Sequence, residues 1–291
     1  MLPTSFDSSS DKIENVKLQD KIVNSWLHGK SEGTKRKYIC YLNQFITFLN
    51  DKPLTHANIH DIEDWHDSLI VEGDSPATQS TKLAALKSFL RHGCRINYLV
   101  TDVGVTISLP KSKNKLAERI LTESQVLSMI AQEPSDRNRL LLRFLYVSGA
   151  RVSEVSGLTW KDIKANGDRG QVTLFGKGSE TRVVLIPKGL YQELLSLRGE
   201  QNQDEVVFRS RKGGALQPNQ IREIVAIAGK RAGIEGNVSP HWLRHSHASH
   251  SLDRGAPIQL VQNTLGHKSV AVTTRYLHAR PGDGSSLYLP E

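Results

Sequence analysis

The sequence predicts a mainly α-helical protein of two domains that carries one small β-hairpin. Three observations predict it. Apolar residues recur at helical spacing in four segments between Val16 and residue 100. A polar, basic run after Pro110 interrupts that periodicity. Residues 171–186 then alternate around a Gly-Lys-Gly turn, and helical spacing returns after it. A chain of 291 residues is long enough for two buried cores.

Taken in order, residues 1–15 are Ser/Asp-rich and read as a disordered N-terminus. From Val16 onward, Leu18, Ile22, Val23, Trp26 and Leu27 share one helical face, and Gly29 stops that helix. A second helix is expected from about Thr34 to Leu49, with Tyr38, Leu42, Phe45, Ile46 and Leu49 inside. Its first turn holds Lys35, Arg36 and Lys37. Cations there oppose the helix dipole by roughly 0.3–1 kcal/mol each, which a nearby DNA phosphate would relieve; a solvated face is the alternative. Thr55 is expected to cap a third helix that buries Ile59, Ile62, Trp65 and Leu69. Ser75-Pro76 opens a fourth, with Leu83, Leu86, Phe89 and Leu90 inside. Residues 16–100 are therefore expected to form an all-α domain. Residues 101–118 read as a basic linker, in which Lys111, Lys113 and Lys115 serve either solubility or contact with phosphates.

The second domain is expected over 119–279. Thr122-Glu-Ser-Gln125 is a capping box. Leu140 to Val147 is an apolar helix that ends at Gly149, and Gly149-Ala-Arg151-Val-Ser-Glu154 follows. The hairpin comes next, with Gly176-Lys177-Gly178-Ser179 at its tip. Helices are expected from Pro218 to about Ala232, Pro240 to Arg254, Pro257 to Leu265 and Val270 to Leu277. The tail, 280–291, reads as extended or disordered, with Leu287, Tyr288 and Leu289 apolar enough to seek a partner surface.

The formal net charge is +8 and the pI about 9.4. Residues 1–118 carry 15 Lys+Arg against 14 Asp+Glu, and residues 119–291 carry 23 against 16. The basic excess thus lies in the second half, which suggests a polyanionic partner there. Cys40 and Cys94 form no Cys-x-x-Cys pair, so they read as buried free thiols and not as a disulfide framework or a cysteine zinc site. No leader-like apolar core and no run near the roughly 20 apolar residues of a membrane span is present. The expected location is the cytoplasm, in association with the nucleoid.

The chemistry concentrates between Ser239 and His278. His241-x-x-Arg244-His245, Leu265-Gly266-His267 and Tyr276 recur there at turn-like spacing. A phosphodiester in transfer builds charge on its non-bridging oxygens, and fixed cations lower that barrier. Arg151 and Arg244 can each bind two oxygens through a planar fork. Glu154, one turn from Arg151, can pair with it and orient it. His241 and His267 can donate to phosphate or shuttle protons. Lys177 can protonate a leaving oxygen or sit as a solvated turn residue. Tyr276 is the candidate nucleophile, and core packing is the competing account of it. His241 and His245 could face one zinc ion with His247 and His250 nearby, but Trp242 stands where a His-Glu-x-x-His site needs glutamate. A metal is therefore not expected, and with no Walker loop or dinucleotide fingerprint present no nucleotide cofactor is expected either.

These residues carry a resemblance. Ala150-Arg151-Val-Ser-Glu154-Val, Lys177 on a hairpin, His241-x-x-Arg244-His245, Leu265-Gly266-His267 and Thr273-Thr-Arg-Tyr276 resemble the tyrosine recombinase or phage integrase family, in order and in spacing. The likeness spans roughly 119–278, and the first half resembles the family only in position and helix count. The resemblance implies a helical core-binding (SAM-like) domain and a mixed α/β catalytic domain, forming a C-shaped clamp around DNA. It implies that Arg151 and Arg244 clamp the scissile phosphate and that Tyr276 attacks it to give a 3′-phosphotyrosyl bond. By the same resemblance Lys177 is the general acid, His241 and His267 assist, and Glu154 supports Arg151. It further implies double-stranded DNA sites as partner and a homotetramer on paired sites, from a protein that is monomeric when free. An accessory or partner recombinase is compatible with this. Gly-Ala-Arg departs from the Gly-Leu-Arg or Gly-Met-Arg of many relatives, which alters packing and keeps the arginine. No arm-binding domain is recognisable, which favours a simple recombinase of bacterial, plasmid or phage origin. A type IB topoisomerase and a catalytically inactive DNA-binding relative remain the alternatives.

Overall fold

Two units divide the chain, residues 1–113 and 114–291. The computed structural model describes residues 21–111, 116–176 and 180–277. The expectations for 1–15, Lys113, Lys115, Lys177 and the tail 280–291 lie outside them.

In the first unit, α1 (residues 21–27) precedes α2 (Glu32–Phe48), α3 (Ile59–Val71) and α4 (Pro76–Arg95). Ser31 and Ser75 cap α2 and α4 by accepting bonds from the amides of Thr34 and Thr78. Trp26, Phe45, Ile62, Trp65, Leu83, Leu86 and Phe89 bury their apolar faces in one core. The start of α3 differs from expectation. Thr55 lies in a single 3-10 turn, Leu54–His56, and Asn58 caps the helix. The reason is local: Asn58 and Asp61 exchange side-chain bonds with each other's amides at 3.2 and 2.6 Å, and Thr55 has no such partner. The cysteines also differ. Cys40 is exposed on α2, outside the helix's apolar stripe, and Cys94 is half-buried. After α4 the chain runs back over its own unit: Val103 and Ile107 pack against the core, and the Lys87 ammonium donates to the Ile107 carbonyl.

The second unit begins with α5 (Glu123–Ala131), opened by the reciprocal Thr122/Gln125 box, and α6 (Asp136–Ser148). Gly149 ends α6 at φ +58°. The short α7 (Val152–Ser156) leads to an antiparallel sheet in the order β1 (Ile163–Asn166), β2 (Arg169–Phe175), β3 (Thr181–Ile186). Val172 pairs with Val184 and Leu174 with Arg182. Val172, Leu174, Val184 and Ile186 face the core, whereas Phe175, Val183 and Leu185 face outward. β1 was not expected: only Ile163 of its four residues is buried, so it shows no alternation. α8 (Lys188–Arg198), also unexpected, covers the sheet, and Leu190 and Leu194 reach the core.

α9 (Pro218–Arg231), α10 (Pro240–Asp253), α11 (Ile258–Leu265) and α12 (Val270–Leu277) complete the unit within a residue or two of expectation. α10 is its central post. Its small residues Ser246, Ala248 and Ser249 are buried, which lets neighbouring elements approach closely. The Ser246 hydroxyl accepts from the Leu121 amide at 2.8 Å. Among the described residues no helix is long and apolar enough to cross a membrane.

Candidate active site

Arg244 rises from α10 into the interior and is 5% exposed. A buried guanidinium needs acceptors. The backbone supplies two: the Gly149 carbonyl at the end of α6, 2.5 Å away, and the Leu265 carbonyl at the end of α11. Both carbonyls are presented by turns in which glycine takes a left-handed conformation, Gly149 at φ +58° and Gly266 at φ +62°. A methyl group at Gly149 would also lie 2.7 Å from Leu265 Cδ2 and 3.1 Å from His247 Cδ2. Gly149→Ala is therefore expected to cost about 1–3 kcal/mol of stability, read from urea unfolding. Burial, reinforced by Arg151 and Arg182, lowers the Arg244 pKa to about 9, so the group stays cationic at neutral pH.

Arg151 caps α7. Its amide donates to Glu154 Oε2 at 2.6 Å and its guanidinium to Glu154 Oε1 at 3.0 Å and to the Gly266 carbonyl at 2.9 Å. The Glu154 side chain is fully buried. It is held from the other side by Arg182 of β3, at 2.5 and 2.8 Å, while Arg182 Nε donates to the Thr264 carbonyl at 2.7 Å. Burial alone would raise the Glu154 pKa, but the two arginines and the Arg151 amide hold it below the usual carboxylate range. Arg151, Arg182, Gly176 and His267 line a cleft of about 280 Å³.

Tyr276 on α12 is 4% exposed. Its hydroxyl lies 2.8 Å from His245 Nδ1, and its ring lies parallel to that of His267, with centroids 6.4 Å apart. His267 Nδ1 is 2.9 Å from Thr273 Oγ1. His241 stands one turn before His245, ring centroids 6.3 Å apart, and is more exposed. Burial raises the Tyr276 pKa, and Arg244 and Arg275 offset part of that rise. Burial also lowers His245, His247 and His267 to about 4, with Arg244 adding to the effect in each; the Tyr146 carbonyl at 2.9 Å from His247 Nδ1 opposes it there. Folded values near 4 lie below the ordinary 6.5, so the unfolded chain takes up protons first as pH falls. The stability that these neutral rings contribute is complete above about pH 6.5 and is lost progressively toward pH 4. Urea midpoints measured across that window are expected to fall, and a constant midpoint would refute this account.

The fold thus brings together Arg151, Glu154, Arg244, His241, His267 and Tyr276. Lys177 lies outside the described residues; Gly176, which follows β2, donates to the Glu180 carbonyl at 2.6 Å. Lys35, Arg36 and Lys37 lie on the first unit, where Lys35 pairs with Glu32 at 2.8 Å and the other two are exposed; Lys111 is exposed as well. Sequence reasoning missed Arg182 and weighed His245 only as a zinc ligand. A signal for Arg182 existed: it shares strand parity with buried Val184 and Ile186, where an apolar residue belongs.

Comparison with known proteins identifies the family of the chain. Residues 118–282 match the phage integrase family, and residues 18–98 match the phage integrase N-terminal SAM-like domain. Tyrosine recombinase XerD of Bifidobacterium longum is 30% identical over 286 residues, which cover 90% of this chain and 91% of that protein. Tyrosine recombinase XerC of Corynebacterium glutamicum is 31% identical over 260 residues, covering 86% and 82%. The structure of XerH recombinase bound to difH substrate before cleavage is similar at 25% identity and a TM-score of 0.65, over 87% of this chain and 77% of that one. A lambda integrase dimer bound to a core site, 18% identical with a TM-score of 0.76 over 97% and 83%, shares the fold. With both domains matched and such relatives aligned over most of its length, the chain belongs to the phage integrase family of tyrosine recombinases.

Proposed function

We propose that this tyrosine recombinase exchanges DNA strands at specific sites through a covalent bond between Tyr276 and the 3′ phosphate. The observation that carries the proposal is a phenol hydroxyl 2.8 Å from the His245 imidazole, its ring stacked on His267 and the burial-driven rise of its pKa partly offset by Arg244, while Arg244 and Arg151 are fixed on the adjacent Leu265 and Gly266 carbonyls. Arg151 and Arg244 bind the non-bridging oxygens of the scissile phosphate, where charge builds. The Tyr276 oxygen forms its bond to phosphorus as the bond to the 5′ oxygen breaks. Lys177 gives that oxygen its proton, and His241 and His267 hold the phosphate. Glu154 keeps Arg151 in place. The phosphotyrosyl bond conserves the phosphodiester's free energy, so the strand rejoins without a nucleotide.

Lys35, Arg36, Lys37, Lys111, Lys113 and Lys115 contact the DNA backbone in this reading, and affinity falls steeply with salt. Free protein is monomeric and assembles as a homotetramer on paired double-stranded sites in the cytoplasm. The Xer relatives, matched over most of their length, support a recombinase and do not favour a type IB topoisomerase. Covalent trapping tests the proposal. The protein is incubated with a random library of nicked duplexes, denatured, and the attached DNA sequenced. A phosphotyrosine at Tyr276 on a shared sequence motif supports it; DNA binding with no adduct at any sequence overturns it.

A further inference from the structure

The nucleophile's proton needs a destination. A phenol is a poor nucleophile until its proton leaves, and burial makes that departure harder for Tyr276. Two imidazoles adjoin its ring. His267 is the less suited acceptor, because it stacks on the phenol ring with centroids 6.4 Å apart and bonds Thr273 Oγ1 through Nδ1, with no hydrogen bond to the hydroxyl among the described residues. His245 Nδ1 lies 2.8 Å from the tyrosine oxygen, within reach for direct transfer. We infer that His245 is a catalytic residue that takes the phenol proton as Tyr276 bonds to phosphorus. The inference rests on the recombinase reading above.

The step balances. The Tyr276 oxygen–phosphorus bond forms, the phosphorus–5′ oxygen bond breaks, the phenol proton moves to His245 Nδ1, and the 5′ oxygen receives a proton from Lys177. In rejoining, the 5′ hydroxyl gives its proton back to Lys177 as its oxygen bonds to phosphorus, and the imidazolium returns its proton to the departing phenolate. The surroundings explain how one ring can serve both directions. Burial does most to make His245 a weak base, and His241 and Arg244 on α10, Arg119 before α5 and Arg275 on α12 add to that by opposing a positive charge on the ring. The free enzyme therefore keeps the ring neutral and able to accept. A phosphodiester between Arg151 and Arg244 offsets that field, so substrate makes His245 more basic when a base is needed.

A substrate with sulfur in place of the bridging 5′ oxygen separates this role from the general acid's, because a thiolate leaves without protonation. The probe is the nicked duplex recovered by covalent trapping, made with oxygen or sulfur at the cleaved bond. His245→Gln is expected to slow adduct formation about 100-fold or more on both versions, with DNA affinity unchanged. Lys177→Ala should be slow on oxygen and restored on sulfur. The His245→Gln rate should also climb with pH toward the tyrosine's own ionisation. Thermal unfolding checks the fold of each variant. If His245→Gln fails to fold, the wild-type rate still decides: it should fall in acid, and a rate flat down to about pH 4 overturns the assignment. Wild-type rates in His245→Gln, or rescue of that variant by sulfur, also overturn it. Failure of the wild type to form any adduct overturns the recombinase reading and this inference together.

Discussion

Tyr276→Phe is expected to reduce phosphotyrosyl formation by at least about 10⁴-fold, because the variant lacks the oxygen that forms that bond. DNA affinity should be unchanged, since binding depends on phosphate contacts with cations elsewhere. Phenylalanine preserves the packing of a ring that is 4% exposed and removes the bond to His245 Nδ1. Loss of that single bond should change stability by only about 1 kcal/mol. Binding and cleavage therefore separate cleanly in this variant. A gel that resolves covalent adducts, run beside a binding titration, reads both. An adduct that persists in Tyr276→Phe would move the nucleophile to another residue.

Glu154→Ala carries the largest expected effect on stability. The carboxylate has no exposed surface and two arginines bond to it, Arg182 at 2.5 and 2.8 Å and Arg151 at 3.0 Å. Removing one partner of a buried ion pair leaves charge without compensation, at a cost of about 3–5 kcal/mol. Here Arg182, whose side chain is 11% exposed, bears most of it, whereas Arg151 is one-third exposed and retains water. Activity should fall with stability, because the Arg151 amide and guanidinium both lose the group that aims them. Glu154→Gln keeps the shape and one acceptor, so it should fall between the two. Urea unfolding of the three proteins orders them, and equal midpoints for wild type and Glu154→Ala would contradict the ion-pair account. The pair also has a pH signature. The Glu154 pKa is held below its ordinary value, so its contribution is present above about pH 4.5 and is lost as the pH drops through the folded value. That loss lies on the acid side of the histidine window.

Much of this molecule can be read directly from residue order. Helical periodicity locates α9 to α12 within a residue or two, and Thr122/Gln125 and Ser75-Pro76 mark their helix starts in two to four letters. These signals are local: a cap or an apolar stripe is complete within one or two turns. The candidate residues are legible for a different reason, since charged and aromatic side chains at turn spacing in an otherwise ordinary chain point to phosphate chemistry. Asn58 displaced Thr55 as the cap of α3 because only Asn58 has a reciprocal partner, a choice between neighbours that spacing leaves open.

Tertiary structure decided the pairings. His245 meets Tyr276 across 31 positions, Arg182 meets Glu154 across 28, and Arg151 finds the Gly266 carbonyl across 115. No sequence period spans such separations. Each contact exists because α7, α10, α11, α12 and β3 assemble in one unit and turn their carbonyls and side chains inward. Arg182 shows the principle most clearly. Its strand parity requires a buried residue, and only the assembled core, with Glu154 already on the opposite wall, lets that residue be an arginine.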